Sequence, residues 1–322
     1  MCYSCHKHRE RDKWHLQAKN YLKRIILGLC VICSVLAATF IVEPARTVTI
    51  TFYHTSDIHE HSAPIARIAQ FVEDQRKKRS NVIFLDTGDW CDLGDLTGLN
   101  TRGEAIVAMM SACNYDAVIP GNKDYSHGAD RLAELVDRYS VPMVLANCEW
   151  PEDIKPKNVM PYKIFRFDSV KVAVVGTATP NMSHAKEPLL KIHPIKESVT
   201  KLVSELEGKA DIIVLMTHLG TEEDRKLARA IPQVDIIFGG HYHRKFAKLN
   251  FDKQSQTIIQ HSGCFGECIG EVVIEWDGEE IVDRKSRLVK IVKEMSESDK
   301  VNTVRRKYVK DASETAQMPP PL

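Results

Sequence analysis

From Arg46 onward the chain alternates between two hydrophobic periods. Runs with apolar residues at alternate or consecutive positions read as strands: "TVTITFYHT", "NVIFLDTGD", "DAVIPGN", "PMVLANC", "ADIIVLMTHLG" and "VDIIFGGHYH". Between them, apolar residues recur every three or four positions in "PIARIAQFVEDQRKK", "EAIVAMMSACN", "ADRLAELVDRYS", "IKESVTKLVSELEGK" and "EEDRKLARAI". These read as amphipathic helices. Pro64 stands in the first turn of one, and Gly208 closes another. "YKIFRFDSVKVAVVGTA" reads as a hairpin turning at Asp168 and Ser169. After His243 the helical period stops. "KFAKLNFDKQSQTIIQHSG" and "CIGEVVIEWDGEEIVDRKSRLVKI" read as antiparallel strands, and the polar stretch 296–322, which ends in prolines, as a frayed tail. The alternation predicts an α/β fold of two mixed sheets stacked together, with helices on the outer faces.

The N-terminus follows a different pattern. Ile25 to Val42 are apolar without a charge, close to the lower limit of about 18 residues for crossing a bilayer. Lys7, Arg9, Arg11, Lys13, Lys19, Lys23 and Arg24 precede them, against Glu10 and Asp12. The positive-inside rule then keeps residues 1–24 in the cytoplasm, makes 25–42 a signal anchor, and exports the domain at 46–295. "VLA" at Val35 to Ala37 is an alternative cleavage site.

Composition is that of a globular protein: 322 residues, 43% hydrophobic, 27% charged, net charge +1. That balance argues against a surface for duplex nucleic acid, and nothing in it indicates protein partners. Of nine cysteines, five (Cys91, Cys113, Cys148, Cys264 and Cys268) fall in the exported part. An odd number is not a disulfide framework. "CYSCH" at Cys2 to His6 matches a haem-attachment pattern, but on the cytoplasmic side of the predicted anchor, where such attachment is not expected.

In open α/β sheets, ligands gather outside the carboxyl ends of strands. Here those ends carry Asp57 and His59, then Gly88-Asp89, Gly121-Asn122, His218, and finally Gly240-His241 with His243. In extended chain, residues i and i+2 face one side, so Asp57 with His59, and His241 with His243, are expected to face one ion together. Glycine before Asp89, Asn122 and His241 lets the backbone turn sharply. Four imidazoles, two carboxylates and an amide are too many for one tetrahedral ion. They suit two divalent ions bridged by a carboxylate, with zinc, manganese or iron favoured because no thiolate is present.

The series "DIH…GD…GN…H…GGHYH" resembles the calcineurin-like metallophosphoesterase superfamily. "HTSDIHEH" and "FLDTGDW" are most similar to the catalytic domain of the 5′-nucleotidase and UDP-sugar hydrolase family. The resemblance implies a four-layer α/β/β/α sandwich. It also implies one ion on Asp57, His59 and His243, a second on Asn122, His218 and His241, and Asp89 bridging both. The activity implied is hydrolysis of a small-molecule phosphate ester, by attack of hydroxide formed from a water shared by the two ions.

Two departures stand out. Where the superfamily has histidine after G-N and Asp three residues later, this chain has Lys123 and Ser126. Lys123 then replaces the histidine as a cation over the phosphoryl group, or His127 or His61 supplies the imidazole. On this reading Lys123, Asn122 and His218 serve catalysis, and Lys123, His127 and His61 contact substrate. The chain also ends soon after the last predicted strand, so the nucleoside-holding C-terminal domain of the 5′-nucleotidases is not expected and nucleotide specificity is not carried over. The alternatives are a non-catalytic metal-binding module and a hydrolase of sulfur esters or conjugates related to thiosulfohydrolases.

Overall fold

The strand runs fall into two sheets. We describe them from a computed structural model, which covers residues 47–186 and 190–315. The predicted anchor, the basic segment before it and the CYSCH pattern lie outside the described residues.

The first sheet contains β1 (Val48–Thr55), β2 (Val82–Asp86) and β3 (Ala117–Val118), parallel to one another. The antiparallel hairpin of β12 (Cys268–Trp276) and β13 (Ile281–Lys290) completes it on the β1 side. The short strands β4 (Cys148–Glu149) and β7 (Lys191–Ile192) pair separately. The second sheet runs β10 (Phe251–Asp252), β11 (Thr257–His261), β9 (Ile236–Gly239), β8 (Ile212–Met216), β6 (Val170–Gly176), β5 (Tyr162–Phe167). Its central strands are parallel, and β5–β6 is the predicted hairpin.

Alternation along the strands shows how the layers stack. Val170, Val172 and Val174 of β6, Ile212, Val214 and Met216 of β8, and Ile236 and Phe238 of β9 join one core with Ile50 and Phe52 of β1. Ala173, Val175, Ile213, Leu215 and Ile237, one residue out of phase, form a second core. That core lies beneath α4 (Ile195–Leu206) and α5 (Thr221–Ala230). On the far side, Tyr53 of β1 meets Phe71 of α1 (Ser62–Lys78) edge-on. The helices α2 (Glu104–Ala112) and α3 (Ala129–Arg138) contribute to the same side. The order is helix, sheet, sheet, helix, a four-layer sandwich. Strands buried on both faces explain why β2 and β8 read as unbroken apolar runs.

Two elements differ from expectation. "PMVLANC" forms only isolated bridges, Val118 with Met143 and Val144 with Met160, before the two-residue β4. The polar C-terminal stretch holds a helix, α6 (Asp299–Thr315), packed on α1 and α2. Val301 is fully buried, Val304 and Tyr308 pack on the core, and Tyr308 Oη lies 2.9 Å from Tyr139 Oη. An apolar stripe at helical spacing thus docks a helix that is otherwise hydrophilic. Among the described residues, no helix is long and apolar enough to cross a membrane, and the five cysteines are unpaired.

Candidate metal centre

Asp57 and His59 follow β1, Asp89 follows β2, Asn122 follows β3, His218 follows β8, and His241 and His243 follow β9. Six of these form two groups. The ligand atoms of Asp57, His59 and His243 all lie within 4.8 Å of one another, and so do those of Asp89, His218 and His241. Asp89 stands between the groups. Its Oδ2 is 3.3 Å from His218 Nε2 and 3.7 Å from His59 Nε2. Asp57 Oδ1 is 3.4 Å from His243 Nε2 and 3.9 Å from both His59 Nε2 and His218 Nε2. Asn122 is flanked by two contacts to Asp89. The backbone of Gly121 closes on that carboxylate, and Lys123 N–H donates to its Oδ1 at 2.8 Å. Asn122 Oδ1 is buried without a hydrogen-bond partner.

Backbone carbonyls set the tautomers. His218 Nδ1 donates to Thr87 O at 2.7 Å, and His59 Nδ1 to Cys91 O at 3.2 Å. Each ring therefore turns its Nε2 inward, the arrangement that orients a histidine toward a metal. His59 Nε2 faces His243 Nε2 at 3.2 Å, and His218 Nε2 is buried without a hydrogen bond. Such a set favours cations. Burial pushes the His218 imidazole down, but Asp89 and Asp57 outweigh it and raise it to about 9. Burial likewise raises Asp89, yet His218, Lys123 N–H and His59 hold it below the usual carboxylate range. Four imidazoles, two carboxylates and an unpaired amide oxygen fit two divalent ions.

Asp57 and His59 share a group as expected, whereas His241 and His243 fall in different ones, and neither pair is extended. All four, with Asp89, have positive φ, between 51° and 85°. Left-handed backbone at non-glycine residues is strained and clusters at functional sites. The glycine expectation holds through close approach. A Cβ on Gly88 would fall 2.2 Å from Gly121 N, and one on Gly121 would fall 2.2 Å from Asp89 Oδ1. The loops after β2 and β3 therefore touch backbone to backbone.

Asp124, the acidic residue that closes the "PGNKD" stretch, ties these loops together. Its fully buried carboxylate accepts from Asp89 N–H and Trp90 N–H (both 2.9 Å), Cys91 N–H (3.0 Å) and Gly121 N–H (2.7 Å). Around Lys123 the structure separates the candidates. His61 turns its Nδ1 to Ile58 O and His59 O and stacks on Phe265, with ring centroids 4.4 Å apart. His127 lies near Lys186, Arg102 and Arg131. The imidazole beside Lys123 is that of His184, whose Nδ1 is 3.5 Å from Nζ, and Asp92 Oδ2 pairs with Nζ at 3.2 Å. No sequence signal marks His184. Its loop is brought in by Lys186 N–H donating to Tyr125 O at 3.0 Å.

Residues 50–245, more than half of the chain, match the calcineurin-like phosphoesterase family. The chain belongs to the calcineurin-like phosphoesterases. Among calcineurin-like relatives, the metallophosphoesterase YunD of Bacillus subtilis is 28% identical over 197 residues, covering 59% of this chain and 43% of that protein. The 5′-nucleotidase of Diplobatis ommata is 26% identical over 299 residues, covering 80% and 51%. The crystal structure of a 5′-nucleotidase precursor from Thermus thermophilus superposes with a TM-score of 0.74 at 24% identity, covering 84% and 60%, which establishes likeness of fold. The chain spans about half or less of the length of these curated calcineurin-like relatives.

Proposed function

We propose that this calcineurin-like phosphoesterase hydrolyses a small-molecule phosphate ester at two divalent ions, with zinc, manganese or iron the ions to test. The observation that carries this reading is the position of Asp89, which belongs to one ligand group with His218 and His241 and brings its Oδ2 within 3.7 Å of His59 in the other. Asp57, His59 and His243 would hold one ion, Asn122, His218 and His241 the other, and Asp89 both. When bound, two such ions supply Lewis acidity toward the phosphoryl oxygens and a nucleophilic water at neutral pH.

The protein's own groups do the rest. Lys123 N–H fixes Asp89 through its Oδ1, while Asp124 holds the backbone on either side of the β2–β3 loop contact. The Lys123 ammonium, steadied by Asp92, is the positive charge next to Asn122 and the candidate for the leaving-group side. Lys123 stands where superfamily members usually have histidine, so this charge takes that position's work without an oriented imidazole on residue 126. A nucleotide is the first substrate to screen, because relatives named 5′-nucleotidase align over most of the chain. The anchor reading places this chemistry on the exported side of the membrane.

The test is elemental analysis of the parent and Asp89→Ala, alongside a screen of phosphomonoesters, phosphodiesters and nucleotides. We expect about two ions per parent chain and loss of both in the variant, because one carboxylate serves both. Full metal content in Asp89→Ala would sink the bridging assignment. Metal-loaded parent inert toward every ester would sink the hydrolase reading.

A further inference from the structure

We propose that Asp224 and His261, neither of them in a ligand group, form a positioning pair that sets the second group through its strands. This rests on the two-ion reading above.

The pair is sealed from water. Asp224, in the first turn of α5, and His261, the last residue of β11, are both essentially fully buried. His261 Nε2–H donates to Asp224 Oδ2 at 2.7 Å. Asp224 Oδ1 accepts from Thr217 Oγ at 2.6 Å. Both carboxylate oxygens are therefore committed, and to different strands.

Those strands deliver the two histidines of the second group, His218 and His241. Thr217 immediately precedes His218, and its N–H donates to Phe238 O at 2.9 Å, tying the end of β8 to β9. His261 lies opposite Gly239 in the parallel β11–β9 register, two residues before His241. At Gly239 the pair is nearly in contact with the backbone. A Cβ there would fall 2.3 Å from Asp224 Oδ2 and 2.5 Å from His261 Nε2. One buried carboxylate thus fixes the chain one residue before His218 and, through His261 and Gly239, two residues before His241. The first group is less exposed to the pair, because Asp57 and His59 are delivered by β1 of the other sheet and only His243 follows β9, four residues beyond Gly239. Hydrogen bonds made directly to metal ligands are typically worth ~10–100-fold in affinity, and this pair acts one step further out, on the backbone that carries the ligands, so that range is an upper bound here.

The variants are Asp224→Asn, which keeps size and a hydrogen bond to Thr217 but removes the charge, and His261→Gln. The double variant replaces the carboxylate–imidazole pair by two amides that can still hydrogen-bond. The readout is titration of purified, metal-stripped protein with cobalt(II), followed by its visible absorption, with thermal midpoints measured in parallel. Turnover is not required. In the parent we expect two binding steps. In each single variant one step weakens, by up to ~10–100-fold, and the other stays within about twofold. The double variant, sharing one interaction, is expected to be no worse than the worse single. Unchanged steps in both single variants would overturn the pair's role, as would equal weakening of both steps in proportion to a lost thermal midpoint, which marks general destabilisation. Failure of the parent to bind two ions is a different result and strikes the two-ion reading itself.

Discussion

At position 123 the backbone and the side chain have separate duties. The N–H is spent on Asp89, while the ammonium sits between Asp92 and His184. Removing the side chain leaves the first duty intact. Lys123→Ala is therefore expected to keep its metal and lose ~10²–10³ in kcat, with a smaller change in KM, the signature of an interaction strengthened in the transition state. Steady-state kinetics with parallel metal analysis checks this, and equal kcat in the two proteins would reduce Lys123 to a partner of Asp92. The ligands themselves were readable because carboxylates and imidazoles recur at the ends of five apolar strands, where any one alone reads as a turn or a cap. Their left-handed backbone was not, since φ at Asp57 or His243 is imposed by packing around the loop rather than by the residue. His184 escaped for the same reason, and so did the role of Asp124 in joining two loops. Each acts across a contact between segments far apart in sequence.

Among the elements, apolar runs bounded by turn residues were legible wherever burial on both faces demanded them, as in β2, β6 and β8. The helix α6 was hidden because its buried stripe is narrow, and β4 because two residues carry no period. The end of β2 also holds a titrating group. Asp86 Oδ1 accepts from Gly88 N–H at 2.9 Å and Trp90 Nε1–H at 2.6 Å, and Oδ2 accepts from Thr55 Oγ at 2.5 Å. Burial nonetheless pushes this carboxyl up to about 7. A folded-state value above the unfolded one means that the folded protein keeps a proton the unfolded chain has released. The associated stability is fully present below about pH 4 and is lost as pH rises through 7. Asn at this position keeps an acceptor for the two N–H groups, and Thr55 can turn its hydroxyl hydrogen to Tyr115 Oη, 2.8 Å away. We expect Asp86→Asn to gain stability relative to the parent across that window, on the order of 4 kcal/mol above pH 7, in denaturant melts at pH 4 to 8. A constant difference at every pH would show that Asp86 is not the group titrating.

For the molecule as a whole, the topology was predictable further than the placement. Two sheets with helices outside follow from the strand–helix alternation, and the chain's end in antiparallel strands foretold the β12–β13 hairpin. We propose that the domain is exported, a reading that rests on the apolar residues 25–42 and the basic residues before them. Protease added to spheroplasts of the producing cell is expected to degrade the domain, and its complete protection together with recovery in the soluble fraction would refute the anchor. The division of the ligands between the sheets has a mechanical consequence. Asp57, His59, Asp89 and Asn122 belong to one layer, and His218, His241 and His243 to the other. An ion shared by Asp57 and His243 would thus be a bolt through the sandwich, closing a loop that contains most of the folded domain. In loop-closure terms such a cross-link withholds from the unfolded chain much of the freedom that favours it. Metal bound to the native state alone also adds its binding free energy to folding. The cofactor of the reaction would double as a fastener between the two halves of the fold, and the seam between the sheets is where a metal-stripped protein would begin to part.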